Sequence, residues 1–152
     1  MADQPRVILA VAGVVWNDEG EILLIRRSKP PRQGEWSLPG GKVEFGETLE
    51  QALRRELREE TNLEIEILGL IDVVEIVRDA VAPDAHYVLL DYAARATGGI
   101  AVAGSDAAEA RWFTLAEIES LPLWSEMQRI IALGAVRHGP KAVRPEVPAA
   151  PN

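Results

Sequence analysis

Cysteine is absent from the 152 residues of this chain, which excludes disulfide bonds, thiolate metal sites and a cysteine nucleophile. No apolar run approaches the roughly 20 residues that a membrane-spanning helix needs. The apolar run at residues 7–15 follows a single positive charge, Arg6, which Asp3 offsets, and it lacks the cleavage pattern of a signal peptide. The lack of disulfides agrees with a reducing compartment. We therefore expect a cytoplasmic protein that does not associate with membranes.

Basic residues are few relative to acidic ones: 16 lysines and arginines stand against 24 aspartates and glutamates, and the formal net charge is −8. A surface of this sign repels nucleic-acid backbones and anionic membranes, so neither is expected as a large-surface partner. A small anionic substrate is compatible with this charge, because a bound divalent cation can reverse it locally.

Apolar residues make up 47% of the chain, the balance of a globular protein, and the length fits one domain. Because strands and helices are mixed along the chain rather than strictly alternating, we predict a mixed sheet packed between helices. Turns are expected near residues 83–84 and 97–99. Apolar periodicity predicts strands over residues 7–16, 21–25, 64–77, 86–95 and 110–113, and helices over residues 47–61, 114–120 and 124–136.

The C-terminal residues differ in composition from the rest of the chain. Prolines occur at positions 140, 145, 148 and 151, and such a segment cannot bury enough surface to fold. We therefore predict one domain over residues 1–137 and a flexible, proline-rich tail over residues 138–152.

The segment 47–61 is the clearest helix, because it lacks glycine and proline and its leucines recur every four residues. Thr48 is the expected N-cap, with Gln51 at the spacing of a capping box. Asn62 lies where a left-handed C-terminal residue is expected, and asparagine tolerates that conformation.

The acidic side chains of this helix are not all on its solvent side. On a helical wheel of about 100° per residue, Glu60 lies close to the centre of the leucine stripe, while Glu56 and Glu59 lie on its flank. An acidic run usually forms a solvated face, but an unpaired carboxylate turned toward the core is costly. A divalent cation removes this cost, since hard cations bind carboxylate and phosphate oxygens together. The pattern therefore favours a metal site.

The segment that precedes the helix adds two features. Gly40 and Gly41 would let the backbone approach a ligand or cation closely, although an ordinary tight turn accounts for a glycine pair equally well. Glu44 and Glu47 bring two more carboxylates into the same loop. Both features agree with a cation site next to the helix.

Six residues stand at a characteristic spacing, namely Gly41, Glu47, Arg55, Glu56, Glu59 and Glu60. With this spacing, the segment 41–63 resembles the Nudix box. The one departure is Asn62, where the family pattern has glycine, and it leaves the acidic residues in place. Flanking segments are also similar to members of the family, so that the similarity covers roughly residues 6–136.

The resemblance implies both a fold and a reaction. The implied fold is a three-layer α/β/α sandwich with a mixed central sheet. The implied reaction is the Mg²⁺-dependent cleavage of a diphosphate linkage by attack of water at phosphorus. The substrate would be a nucleoside diphosphate derivative, either ADP-ribose or a (d)NTP-like molecule, and the enzyme a Nudix pyrophosphohydrolase.

The resemblance also implies roles for the acidic residues. Glu56, Glu59 and Glu60 would bind Mg²⁺ or Mn²⁺, together with the carbonyl of Gly40. The cation would neutralise the diphosphate and lower the pKa of an attacking water. Glu59 or Glu56 is implied as the catalytic base.

Other residues receive supporting or alternative roles. Gly41 would shape the loop, and Glu47 would brace it through Arg55 rather than bind metal directly. Some relatives use an acid from a later loop as the base. Here the candidates are Asp106 and Glu109, for which a solvated loop is the plain alternative.

Substrate contacts are expected from the second strand and the segment after it. Arg27, and secondarily Arg26, would clamp a phosphate through the planar guanidinium, with an exposed strand end as the alternative. Trp36 would stack on a nucleobase or pack in the core. His86 lies in a strand without other site features and is interpreted as structural.

Two further functions are compatible with this fold. A non-catalytic module that senses a nucleotide or ADP-ribose would bind its ligand without turnover, although erosion of the acidic motif would then be expected. An isomerase acting on a prenyl diphosphate resembles a site that uses cysteine, which this chain lacks. Both a monomer and a homodimer are compatible with the sequence.

Overall fold

The computed structural model describes residues 5–30, 32–77, 85–104 and 107–140. The predicted turn at residues 83–84, the candidate acid Asp106 and residues 141–152 of the predicted tail lie outside the described residues. No helix in the described ranges is both long enough and apolar enough to cross a membrane.

The elements follow the order expected from the apolar periodicity, and the described part of the chain has seven strands and three helices. The strands are β1 (Arg6–Trp16), β2 (Ile22–Arg27), β3 (Trp36–Ser37), β4 (Gly40–Lys42), β5 (Glu64–Val77), β6 (Ala85–Gly98) and β7 (Ala107–Phe113). The helices are α1 (Leu49–Thr61), α2 (Leu115–Glu119) and α3 (Ser125–His138).

One predicted turn is wrong at its first two residues. Thr97 and Gly98 continue strand β6, because Gly98 pairs with Glu64 and extends the antiparallel ladder between β5 and β6. The change of direction comes one residue later, at Gly99, whose φ of 86° suits glycine.

The strands form one mixed sheet, as predicted. Its order is β3-β2-β1-β6-β5, with β4 also beside β1 and β7 also beside β2. Strands β1 and β6 run parallel, whereas the other pairs are antiparallel. Strand β1 meets β2 at Trp16 and Ile22 and pairs with β4 at residues 10–12. The glycines of β4 are thereby held against the centre of the sheet.

The sheet separates two hydrophobic cores, because alternate side chains of a strand point to opposite faces. Val14 of β1 faces the core shared with α2 and α3, whereas Val15 faces the core shared with α1. The first core includes Ile22, Leu24, Ile118, Ile130 and Ile131, and the second includes Leu23, Leu53, Leu57 and Leu63. This arrangement is the predicted α/β/α sandwich.

Candidate metal and diphosphate site

Helix α1 has the ends that its capping residues predict. The Thr48 hydroxyl accepts the N–H of Gln51 at 3.1 Å, and the Gln51 side chain accepts the N–H of Thr48 at 2.9 Å. Thr48 itself has extended backbone, so the helix begins at Leu49 rather than at residue 47. Asn62 is left-handed, with φ of 61°, and ends the helix.

Glu60 lies on the buried side of α1, in line with its position on the helical wheel. It is 9% exposed, next to fully buried leucines of the same helix. One of its carboxylate oxygens accepts the N–H of Gly40 at 3.1 Å. This hydrogen bond joins the last turn of α1 to β4 and brings a candidate ligand next to the glycine pair.

Close contacts rather than a tight turn explain the glycine pair, with backbone atoms next to Gly40 and a flexible side chain next to Gly41. A Cβ atom at Gly40 would overlap the carbonyl oxygen of Val11 and lie 2.7 Å from Cα of Ala12. A Cβ atom at Gly41 would lie 2.5 Å from the carboxylate of Glu56. The missing side chains therefore let β4 approach both β1 and the acidic side chains of α1.

Arg55 is the centre of the polar contacts at this site. Its guanidinium donates two hydrogen bonds to Glu47, at 2.7 and 2.9 Å. A third nitrogen donates to Glu56 at 2.8 Å and to Glu59 at 3.2 Å, and the carbonyl of Lys42 accepts a further bond at 3.0 Å. Arg55 thus connects the loop before α1 to both candidate catalytic glutamates.

The electrostatics of the loop follow from these contacts. The hydrogen bond from Arg55 lowers the pKa of Glu47, and the backbone N–H of Glu44 adds to this effect. The neighbouring carboxylates, Glu47 foremost, in turn raise the pKa of Arg55. Glu47 is therefore held as a carboxylate against Arg55.

The two candidate bases differ in their access to water. Burial raises the pKa of Glu56, and the hydrogen bond from Arg55 opposes this shift. The side chain of Glu56 is 14% exposed, whereas that of Glu59 is 52% exposed. The carboxylate of Glu59 is therefore more accessible to water than that of Glu56.

Within the described ranges, no three acidic or histidine side chains already form a metal cluster. The guanidinium of Arg55 instead supplies the positive charge between Glu56 and Glu59. The chemistry of the donors nevertheless fits a hard cation, because carboxylate and carbonyl oxygens are the ligands that Mg²⁺ prefers. Glu56 and Glu59 bind one guanidinium nitrogen, so their oxygens lie within two hydrogen-bond lengths of each other.

The candidate residues for substrate contacts lie on β2 and β3. Arg26 forms an ion pair with Glu109 at 3.3 Å, and its guanidinium lies 6.0 Å from the ring centre of Trp36. Trp36 packs edge-to-face on Phe113, with ring centres 5.0 Å apart. Trp36 therefore contacts the core. It also borders a cavity that a ligand could enter.

A cavity of about 180 Å³ lies between these strands and α3. Trp36 and Arg27 both line it. Met127 of α3 and Trp124, the residue before that helix, also line the cavity, and no motif in the sequence had indicated either of them as a site residue. Trp124 is 42% exposed, and its position in the sequence indicated only the start of a helix.

The prediction that Glu109 lies in a loop is wrong. Strand β7 begins at Ala107, and Glu109 pairs in register with Arg26 of β2. The reason is that β2 offers its outer edge to β7 along its whole length, so the ladder reaches Arg27. Glu109 therefore lies beside Arg26 on the neighbouring strand and forms an ion pair with it. His86 lies in β6, as predicted, with a buried Nε2 that lacks a hydrogen-bond partner.

The chain is similar to known proteins in both sequence and structure. The chain is 40% identical over 114 residues to "ADP-ribose pyrophosphatase" of Methanocaldococcus jannaschii, covering 74% of this chain and 65% of that protein. The chain therefore spans slightly less than two thirds of that relative's length.

Solved structures share the architecture. A MutT NUDIX hydrolase from Burkholderia pseudomallei superposes with a TM-score of 0.74 at 31% identity, covering 84% of this chain and 98% of that one. The NUDIX domain of Shewanella oneidensis NrtR, solved in complex with ADP ribose, superposes with a TM-score of 0.72 at 27% identity, covering 90% of each chain. The NUDIX domain family matches residues 7–134, a range that contains the glutamates of α1, the glycines of β4 and the cavity. This chain therefore belongs to the NUDIX family.

Proposed function

We propose that this chain is a Mg²⁺-dependent pyrophosphohydrolase that cleaves the diphosphate linkage of a nucleoside diphosphate derivative, with ADP-ribose as the first substrate to test. One observation carries the proposal: a single segment, residues 36–42, leads from the cavity to the acidic site. Ser37 lines the cavity, and Gly40 donates to Glu60. Three residues span at most about 11 Å, a distance that one nucleoside diphosphate can bridge.

Glu56, Glu59, Glu60 and the carbonyl of Gly40 are the groups that would hold the cation. When bound, Mg²⁺ neutralises the diphosphate and lowers the pKa of a water molecule, and Mn²⁺ can supply the same chemistry. Arg55 already donates hydrogen bonds to Glu56 and Glu59, so its guanidinium offsets part of their negative charge.

The reaction assigns one task to each of the remaining residues. Glu59 takes the proton of the attacking water, because it is the more exposed of the two glutamates. Arg27 holds the diphosphate with its planar donor groups, and Trp36 contacts the nucleobase at the cavity wall. The water oxygen forms a new bond to phosphorus, and the bond between phosphorus and the bridging oxygen breaks. ADP-ribose would yield AMP and ribose 5-phosphate.

Two names among the similar proteins support ADP-ribose as the first choice. The archaeal relative is called an ADP-ribose pyrophosphatase, and the NrtR domain was solved with ADP ribose. The mixed apolar and cationic lining of the cavity, with two tryptophans and Arg27, suits a ring system joined to phosphates. The same lining would accept the base of a (d)NTP.

The test is a substrate panel with the purified full chain. ADP-ribose, the four dNTPs and a prenyl diphosphate are incubated with Mg²⁺, with Mn²⁺ and with a chelator, and the products are separated. We expect hydrolysis of at least one nucleotide that depends on the cation. Glu59→Gln should lower kcat by at least about 100-fold, whereas Glu50→Gln, on the exposed side of the same helix, should leave it unchanged. Equal turnover in wild type and Glu59→Gln would refute the proposed base.

A nucleotide-sensing module is the second candidate, and one observation favours it. Glu56 and Glu59 both accept from Arg55, whereas Glu60 accepts from Gly40, so the three carboxylates do not share one partner. A domain that kept this arrangement would bind a nucleotide in the cavity and leave it intact. Calorimetry that shows binding of ADP-ribose, together with no product after prolonged incubation with Mg²⁺, would favour sensing over hydrolysis.

A further inference from the structure

We propose that the loop of residues 99–104 positions the metal-binding end of α1, and that Gly104 is the residue on which this depends. The inference rests on the proposed function, because it concerns the placement of Glu59 and Glu60. It assigns a positioning role to a segment that acts through hydrogen bonds to the backbone of α1.

The loop caps the C-terminal turn of α1. The last carbonyl groups of a helix have no partner within the helix. Here the N–H of Gly104 donates to the carbonyl of Glu60 at 2.8 Å, and the N–H of Val102 donates to that of Thr61 at 3.0 Å. The side chain of Asn62 returns a bond to the carbonyl of Ile100 at 3.3 Å. Three hydrogen bonds thus hold the turn that carries the candidate ligands.

Only glycine fits at position 104. A Cβ atom there would overlap the carbonyl oxygen of Glu59 and lie 2.9 Å from its carbonyl carbon and 3.2 Å from that of Glu60. These are backbone atoms of the helix, so rotation of a side chain cannot relieve the clash. A methyl group at Gly104 must therefore move either the loop or the turn that holds Glu59 and Glu60.

The same loop is also hydrogen-bonded to the strand on the substrate side of the site. The N–H of Ala107 donates to the carbonyl of Gly104 at 3.4 Å. Ala107 begins β7 and pairs in register with Arg27. The loop is therefore fixed at one end to the glutamates and at the other to the strand beside the candidate phosphate clamp, so that a shift of the loop changes the distance between them.

The chain offers a matched control six residues earlier. A Cβ atom at Gly98 would meet only the side chain of Glu64, at 3.8 Å, which is an ordinary contact. Gly98→Ala therefore adds the same methyl group to a neighbouring glycine without pressing on α1. Comparison of the two variants separates the position of the methyl group from the loss of glycine as such.

The experiment measures Mn²⁺ binding by calorimetry or electron paramagnetic resonance in the absence of substrate, together with kcat, KM and the Mg²⁺ concentration for half-maximal turnover. Gly104→Ala should weaken Mn²⁺ binding by at least about tenfold, the size of effect seen when groups that orient metal ligands are lost, and should lower kcat more than it raises KM. Gly98→Ala should match the wild type in every measurement. Wild-type Mn²⁺ affinity in folded Gly104→Ala would overturn the inference.

A milder variant keeps the inference testable if Gly104→Ala fails to fold. Asn62→Gly preserves the left-handed end of the helix, because glycine adopts positive φ freely, and removes only the bond to Ile100. We expect a folded protein with Mn²⁺ affinity lowered by about threefold, a fraction of the effect of losing a full contact to a ligand-bearing group. An unchanged affinity contradicts the positioning role. Absence of Mn²⁺ binding in the wild type contradicts the proposed function instead, so the two failures are distinguishable.

Discussion

At the scale of single residues, Arg55 is the side chain on which most of the candidate site depends. Three carboxylates and one carbonyl group receive its hydrogen bonds, and the side chains of Arg55, Glu47 and Glu56 are 21%, 17% and 14% exposed. These ion pairs are partly buried, so solvent screens them less than pairs at the surface. Removal of one member leaves the others with a desolvation cost and no compensating charge.

We therefore expect Arg55→Gln to lower the free energy of unfolding by about 2 kcal/mol, between the values for exposed and for buried ion pairs, measured by urea denaturation without divalent cations. The control is Arg58→Gln, which removes an ion pair with Glu64 in which both side chains are 55% exposed. Exposed pairs contribute at most about 1 kcal/mol, so the control should lose far less. Equal losses in the two variants would show that the network around Arg55 adds little to stability.

The same variant tests whether Arg55 and a cation compensate the same charges. Without the guanidinium, Glu56 and Glu59 repel each other and gain more from a bound cation. We expect Mg²⁺ to raise the melting temperature of Arg55→Gln more than that of the wild type, since a ligand that binds only the folded state stabilises it. A smaller rise in the variant would mean that Arg55 helps to build the cation site rather than only neutralising it.

Some of these residue positions follow from the sequence and others do not. The buried side of Glu60 follows from its place on the helical wheel, because the period of the helix determines which side chains share a face. The hydrogen bond from Gly40 to Glu60 joins residues 20 positions apart. It depends on how β4 packs against α1, and the helical periodicity gives no information about that packing. The need for glycine at position 104 could not be predicted from the sequence either. A side chain there would clash with helix α1, which lies more than 40 residues earlier in the chain.

At the scale of secondary-structure elements, the two capping boxes explain where α1 and α2 begin. Thr48 and Thr114 each accept the N–H of the residue three positions later, and that residue's side chain accepts the N–H of the threonine. The pair at Thr48 is predicted from the sequence, because a capping box is local, whereas the pair at Thr114 is seen only in the structure. The start of α1 also fixes the orientation of the loop that carries Glu47.

Thr48→Ala should lower the free energy of unfolding by about 1 kcal/mol, the usual contribution of an N-cap side chain. Thr48→Ser keeps the hydroxyl and should retain nearly all of this stability. Urea denaturation of the two variants at one pH provides the measurement. A loss of equal size in Thr48→Ser would assign the effect to the missing methyl group rather than to the cap.

The pairing of strands was less accessible to sequence reasoning than their positions. The predicted bounds of β5 match those in the structure, because its fourteen residues have a composition typical of a strand. The parallel pairing of β1 with β6 and the position of β7 beside β2 bring together segments far apart in the chain. The misplaced loop at Glu109 and the early turn at residues 97–98 both arose from this missing information about ladder partners.

At the scale of the whole molecule, one acidic residue lies where the helical layer of α3 meets the sheet. Asp91 is 4% exposed and lies on β6. Leu89 and Ala93, two positions before and after it, belong to the core shared with α3. It pairs in register with Asp72 of β5. Asp72 accepts a hydrogen bond from Arg129 of α3 at 3.0 Å, and Glu126 of α3 accepts another from the same arginine. Burial, and secondarily the charge of Asp72, raise the pKa of Asp91 to about 7.

This shift makes the stability of the fold depend on pH. In the unfolded chain Asp91 loses its proton near its ordinary pKa of 3.8, whereas the folded protein retains the proton until about pH 7. Between these values the folded state binds more protons, so stability falls as the pH rises and becomes level above the folded pKa. The full cost is on the order of 4 kcal/mol. Arg129 lowers the pKa of Asp72, whose own titration therefore falls below this window.

Asp91→Asn replaces the carboxyl group with a neutral side chain of similar shape and removes the cost of ionisation. We expect the variant to be more stable than the wild type at pH 8, by up to about 4 kcal/mol, with a difference that shrinks steadily toward pH 4. Urea denaturation at pH 4, 6 and 8 and constant ionic strength measures this. Asp18→Asn, at a carboxylate that is 91% exposed, should show no such trend. A stability difference that is equal at pH 4 and pH 8 would mean that Asp91 acts through packing alone, and the junction between α3 and the sheet would then be insensitive to protonation.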